Sequence, residues 1–403
     1  MNPALALIPL GAAGFFLLAG YELSRSVSSS LFIEAYGAAN LPWAMTGSFA
    51  VIGLLVYGYG RLLSVLKPWK TFLATKAFFF AVFLLFWAAL KAGSRPAAAG
   101  FYFFREAYIM LIVEQCWSFV NSRLSLEQGR RYNGLFLGVT GIGAYFGAKT
   151  VSWWVTSLGS HTMILLSAAT LIPSAILAAL AFRIAGEPPA TGQNPGDPMG
   201  LRKLFSSRLL LIMAGLVFVT QAGGTLLDQR WNLLAQEAFP QGVEGMMDLR
   251  SKYFAEFWSN VNLYSWGLQF IGTPLILRAV SPRIALILIP FAHLMAVGHL
   301  LLSPSLGAGA LAFGMFKVVD YSLHRAAKET LYIPLSFDER YRAKEVIDAF
   351  GYRASKALTA FGLAALKTLG SALPAQAYAG GVLGALILWL GLVLGLPRQP
   401  QKN

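Results

Sequence analysis

The sequence predicts an all-α polytopic membrane protein, and three features lead there. Of 403 residues, 56% are hydrophobic and only 12% charged, with a mean hydropathy of +0.59, outside the range of ordinary soluble domains. The apolar residues fall in runs of roughly 20, the length that crosses the hydrocarbon as a helix. TFLATKAFFFAVFLLFWAAL (71–90) and LILIPFAHLMAVGHLLL (286–302) are examples. The period of these runs is helical, and no train of alternating ten-residue strands marks a barrel.

About twelve transmembrane helices are expected, centred on residues 5–23, 42–62, 71–92, 99–122, 134–157, 161–183, 207–232, 253–276, 283–303, 306–329, 344–369 and 376–396. The first, within MNPALALIPLGAAGFFLLAG, lacks the basic stretch of a cleaved signal and is kept as a span. The single cysteine, Cys116, excludes an internal disulfide framework. The net charge of +14 invites a nucleic-acid reading. Its placement argues against one, because most Lys and Arg lie in the 2–3, 4–5, 6–7, 8–9 and 10–11 loops and at the C-terminus. By the positive-inside rule that side is cytoplasmic, with both termini.

The sharpest break in composition is AGEPPATGQNPGDPMG (185–200), rich in Pro and Gly, with six expected spans on either side. The division expected is an N-terminal six-helix half at 1–184, a cytoplasmic linker at 185–204 and a C-terminal half at 205–403. Two pseudo-symmetric six-helix halves so joined are major-facilitator-like. A weak internal echo agrees: SLEQGRRYNGLFLG (125–138) and SFDERYRAKEVIDAFG (336–351) both run from Ser and an acid through a basic cluster to Gly.

Charges at membrane depth cost about 2.5–3.5 kcal/mol each on insertion scales, so they should face a cavity or a partner. Several share one helical face. They are Lys317, Asp320, His324 and Lys328 in the tenth span; Gln221, Thr225, Asp228 and Asn232 in the seventh; Glu114, Ser118 and Asn121 in the fourth; and Tyr21, Arg25 and Ser28 in the first. Helices one, four, seven and ten occupy equivalent positions in the two halves. Further stripes are Glu256 with Asn260, and Asp348 with Tyr352 and Lys356. The bland alternative is a set of internal ion pairs, with Asp320 neutralising Lys317 or His324, and Asp348 neutralising Lys356. The four histidines lack a second ligand cluster, so they read as packing or pairing residues and no metal or cofactor is expected. Glycines 134, 138, 143 and 147 read as close helix packing. Trp153, Trp154 and the many phenylalanines read as lipid-facing or interfacial.

KETLYIPLSFDERYRAKEVIDAFGYRASK (328–356) resembles the signature of the nucleotide (ATP/ADP) transporter family of plastids and intracellular bacteria, which carries KE-x-x-YIPL, a charged loop, then ID, a Gly and a final Lys. GYELSRSVSSSLFIEAYGAANLP (20–42) is similar to the exit of that family's first helix. EQCWSFVNSRLSLEQGRRYNGLFLG (114–138) and LLDQRWNLLAQEAFP (226–240) resemble its acid-x-x-Trp segments. The resemblance implies a major-facilitator fold that exchanges or imports nucleotides, here in a divergent bacterial member. It matches Glu114, Asp228 and Lys356 to charges important for transport and Arg25 to a family Arg. Three residues after that Arg the family has Lys-Asp, where Ser28-Ser29 stand here, and the loss removes a charge-assisted contact from a phosphate site.

The leading expectation is a secondary active transporter of an anionic solute, phosphorylated or not, in the cytoplasmic membrane, working by alternating access with nucleotide-type exchange or import. Arg25, Lys317, Lys328 and Lys356 would supply positive charge, Glu114 and Asp228 gating or coupling, and Ser28, Asn121, Asp320, His324 and Tyr352 the rest of the site. Trp117, Tyr21 and Tyr352 are candidates to stack on a base. Two other readings stay open: a proton-coupled carrier or lipid translocase using Asp320, His324 and Glu329 as a relay, and a non-transporting scaffold or assembly factor. No nucleophile with a base, zinc-ligand spacing or phosphate loop supports an enzyme. The lipid bilayer is the expected surrounding, and the sequence names no protein partner.

Overall fold

The computed structural model describes residues 3–123, 126–186, 207–332, 335, 345–370 and 373–396. All regular structure among them is helical, in twelve long rods. These are α1 Leu7–Tyr36, α2 Leu41–Val65, α3 Pro68–Lys91, α4 Arg95–Arg123, α5 Leu126–Leu158, α6 Ser160–Ala185, α7 Arg208–Ala238, α8 Met246–Gly267, α9 Pro282–Leu302, α10 Leu306–Val319, α11 Tyr352–Thr368 and α12 Ala375–Leu394. Three rods contain π turns: α8 continues through Leu268–Gly272 into Thr273–Ala279, α10 through Asp320–His324 into Arg325–Leu331, and α11 is preceded by Glu345–Gly351. Nine of the rods are long and apolar enough to cross a membrane by length and composition. The others, α5, α8 and α11, carry more charge.

The helix ends follow local chemistry. Pro42, Pro68 and Pro282 open α2, α3 and α9 in the first turn, where a missing N–H costs nothing. The hydroxyls of Ser281 and Ser305 accept the N–H groups of Ile284 and Ala308 at 3.3 and 3.2 Å, capping α9 and α10. α1 runs 13 residues past the expected end at residue 23 and stops at Gly37, whose φ of 79° only glycine adopts freely. The expectation ended early because the polar stretch ELSRSVSSS lowers hydropathy without interrupting the helix.

The chain forms two compact units. Residues Met1–Gln193 with Phe239–Leu263 make the first, and Asn194–Ala238 with Tyr264–Asn403 the second. The inclusion of Phe239–Leu263 in the first unit is not anticipated by a division at the linker, and residues 187–206, which hold most of that linker, lie outside the described residues.

In the first unit α1 is the central rod, packed on α5 and α6. A Cβ on Gly143 would stand 2.2 Å from Phe15 O, and one on Gly147 would stand 2.3 Å from Ala19 O, so α5 touches α1 backbone to backbone. Gly134 faces open space, and the close-packing expectation therefore fails there. A second correction concerns the phenylalanines: Phe79, Phe83, Phe101 and Phe104 are buried with Tyr108 between α3 and α4, and Phe72 is buried against Phe182 of α6. Edge-to-face pairs such as Phe83–Phe104, at 5.1 Å between centroids, hold them. Trp153 and Trp154 are 58% and 54% exposed, as lipid-facing residues should be. In the second unit α7 packs against α10, α11 and α12, and Trp389 of α12 is buried and donates to Leu286 O of α9 at 3.0 Å.

Candidate functional site

Each unit holds a polar cluster at membrane depth. In the first, α1 presents Arg25, whose Nη1 donates to Glu22 Oε1 at 3.1 Å and whose guanidinium lies 3.2 Å from the centroid of the Trp258 ring. Arg25 is thus neutralised within its own helix and covered by an aromatic face. Ser28 is fully buried and donates back to Arg25 O at 3.1 Å. Beside them α4 delivers Arg105, which sequence reasoning overlooked. Its Nη2 pairs with Glu106, its Nη1 reaches Arg25 O at 3.3 Å and Ser29 Oγ at 3.4 Å, and its guanidinium sits 4.5 Å from the Tyr102 centroid. Adjacent opposite charges inside the fourth expected span were the available signal, as was Glu22 three residues before Arg25.

Glu114 does not join this cluster. It lies nine residues beyond Arg105 on α4, about 13 Å along the axis, and its side chain is exposed. Asn121 is in α4, but its side chain falls outside those described.

The second unit gathers more of the expected residues. In α7, Thr225 Oγ1 donates to Gln221 O at 2.7 Å and Asn232 Nδ2 to Asp228 Oδ1 at 2.8 Å, so much of that stripe is satisfied along its own helix. Lys317 of α10 is 9% exposed. Its ammonium is within electrostatic reach of Asp228, Asp320, Tyr321 and Tyr352 and lies 5.6 and 5.7 Å from the Phe313 and Tyr321 ring centroids. Among the described residues no carboxylate pairs with it within 4.0 Å. Room for it comes from Gly224 of α7, where a Cβ would stand 3.6 Å from Lys317 Nζ and 3.1 Å from the Phe316 ring.

Asp320 takes His324: Nδ1 and Oδ1 are 3.0 Å apart, inside the π turn. The His324 ring rests 4.8 Å from Trp389, and its Nε2 is buried without a partner among the described residues. His293, the other buried histidine, stacks on Phe316 at 4.7 Å, which fits a packing role. Lys328 departs from the stripe. A π turn holds one residue more than an α turn, so everything beyond it is rotated by about 100° relative to an unbroken helix. The Lys328 ammonium accordingly meets Asp348, which also accepts from Tyr332 OH at 3.3 Å. Tyr352 and Lys356 are half-buried one helical turn apart in α11. The motif loop itself, 336–344, lies outside the described residues. No group of three His, Cys, Asp or Glu suited to a metal occurs among those described.

No family model matches the chain. Sequence relatives do. The plastidic ATP/ADP-transporter of Solanum tuberosum is 24% identical over 471 residues, covering 98% of this chain and 73% of that protein. ADP,ATP carrier protein 1 of Rickettsia bellii is 22% identical, covering 98% and 93%. The chloroplastic ADP,ATP carrier protein 2 of Arabidopsis thaliana is 23% identical, covering 98% and 74%. Among solved structures, an auto-inhibited POT family peptide transporter superposes with a TM-score of 0.66 at 12% identity, covering 100% of this chain and 99% of that one. A variant of the nucleoside transporter NupG gives 0.62 at 11% identity, covering 97% and 100%. The E. coli fucose:proton symporter FucP gives 0.55 at 15%, covering 98% of each. The fold is major-facilitator-like, as expected. The resemblance first seen in motifs runs along nearly the whole chain, and relatives and fold neighbours alike are membrane transporters rather than enzymes.

Proposed function

We propose that this chain is a secondary active transporter of an anionic, phosphorylated solute of the nucleotide class, exchanged or imported by alternating access across a bacterial cytoplasmic membrane. The observation that carries the reading is Lys317. A buried ammonium faced by aromatic rings, with no carboxylate paired to it among the described residues, suits a phosphate oxygen, where a charge-assisted hydrogen bond is strongest. Arg25 and Lys328, expected to share this work, are already paired with Glu22 and Asp348. Similarity to ATP/ADP carriers over 98% of the chain supports the solute class. The test is ATP and ADP binding by thermal shift on purified protein, and exchange in proteoliposomes, for the parent, Lys317→Ala, Lys356→Ala and Arg25→Ala. A nucleotide shift in the parent that Lys317→Ala and Lys356→Ala abolish supports the reading. No shift with either nucleotide removes nucleotides as the solute.

A second reading has its own observation. His324 is bonded on one nitrogen to Asp320 and leaves the other unsatisfied in the interior, which suits a proton-coupled carrier. His324→Gln should then flatten the pH dependence of uptake, and an unchanged profile removes the relay.

A further inference from the structure

The first unit includes a stretch that begins just after α7, and it is fastened by polar contacts concentrated at one end of the bundle. Arg250 of α8 is completely buried. Its Nε donates to Ser30 Oγ at 3.1 Å, its Nη1 to Phe239 O at 2.8 Å, and its Nη2 to Ser30 O at 3.0 Å and Glu34 Oε2 at 2.7 Å. The other oxygen of Glu34 accepts Gly242 N–H at 2.6 Å, and Ser30 Oγ donates to Met247 O at 2.7 Å. Two residues before Arg250, Asp248 Oδ1 accepts both the N–H and the hydroxyl of Ser160, at 2.9 and 2.6 Å, and caps the start of α6. Ser251 Oγ lies 3.0 Å from Ser160 Oγ. With the termini cytoplasmic, the end of α1 and the start of α6 are both on the far side of the membrane.

We propose that Phe239–Trp258 is a releasable strap that closes the non-cytoplasmic end of the carrier, locked by Arg250 on Glu34 and by Asp248 on Ser160. The proposal rests on the transporter reading. Three features argue for release rather than permanent bracing. A buried ion pair adds little over apolar packing of the same volume, so a permanent brace gains nothing from it. Water can take over every one of these bonds when the strap lifts, whereas it cannot replace the backbone contact of α5 on α1. Two positive-φ glycines, Gly242 and Gly245 at φ 74° and 75°, also lie near the start of the strap, and the π turn Leu268–Gly272 interrupts the regular helix beyond its end.

Cys116, the one cysteine, is buried, so introduced thiols can be read against a low background. Ser259, fully buried on α8 with its hydroxyl donating to Glu256 O of its own helix, is the reporter. Ser259→Cys in intact cells should label slowly with a membrane-impermeant maleimide. Adding Glu34→Gln, which leaves the Arg250 bonds to Ser30 and Phe239 in place, should speed labelling at least about tenfold, the factor that corresponds to 1.4 kcal/mol. Arg250→Gln should do the same, and Arg250→Lys should do so less. Labelling that stays within about twofold of the parent in both Gln variants, with the protein monodisperse, overturns the strap. In a second arm, Ser160→Cys with Ser251→Cys should form a disulfide that stops ATP uptake into proteoliposomes until reductant is added. Uptake at the parent rate through the oxidised pair overturns the strap. Absence of ATP uptake by the reduced protein counts against the nucleotide reading, and the labelling arm then decides the strap alone.

Discussion

Replacing Gly143 or Gly147 by alanine should loosen the centre of the first unit by an amount the geometry bounds. The new Cβ would sit 2.2 Å from Phe15 O or 2.3 Å from Ala19 O, where contacts under 3.0 Å are essentially never seen. The obstacle is main chain, so no rotamer change relieves it, and α5 must move away from α1 by about 0.7–0.8 Å, the shortfall from 3.0 Å. A gap of that size forfeits a quarter to a half of each van der Waals well along the seam, consistent with the roughly 1–3 kcal/mol of overpacked interiors. Both substitutions force the same separation, so the double variant should cost less than the sum. Gly134→Ala, with open space at its Cβ, is the control and should be neutral or better, since alanine is the stronger helix former by about 1 kcal/mol. Thermal unfolding of the purified proteins in detergent reads the series. Melting of Gly143→Ala and Gly147→Ala at the parent temperature would refute the backbone-contact argument.

Three further outcomes are expected. Lys317→Ala should weaken nucleotide binding about 10- to 150-fold, the loss of one hydrogen bond to a charged group at roughly 1.5–3 kcal/mol, as measured by calorimetric titration. Arg25→Ala should instead lower stability, because it leaves Glu22, 2% exposed, without its cation; Glu22→Gln with Arg25→Ala should recover most of the loss in a thermal scan. Asp348→Ala should strand the Lys328 ammonium and cost toward the lower end of about 3–5 kcal/mol, since the Asp348 side chain is 23% exposed, with recovery when Lys328→Met is added.

Much of the fold was legible because burial in lipid leaves a coarse mark. Twelve apolar runs anticipate twelve rods, even where α1 outlasts its run. Lys317, Asp320 and His324 were legible for a related reason: ionisable groups within apolar runs stand out, and helical spacing places them on one face. The pairings were less so. Asp348 was matched with Lys356, and it is Lys328 that the folded chain sets against it, because a π turn leaves no compositional trace. Arg105 and Glu106 were visible but passed over, since adjacent residues in a helix point apart and the search was for stripes. The grouping of Phe239–Leu263 with the first unit depends on contacts more than 200 residues apart, such as Arg250 with Glu34, and no local pattern announces those.

The π turn at Asp320–His324 changes what a small genetic event can do here. The extra residue is absorbed inside the turn, so removing one, Tyr321 for instance, would let the turn close as ordinary α-helix while the following segment keeps its phase and Lys328 stays on the side of Asp348. Closing the same turn without losing a residue would do the opposite, swinging the following segment by about 100° and carrying Lys328 off Asp348 toward the face of Lys317. The pairing of two cations can therefore be rewired with no change of sequence at all. Relatives one residue shorter here would show a gap in an alignment and still present the same arrangement. For this carrier, the geometry of the turn between Lys317 and Lys328 is as much a determinant of the site as residue identity.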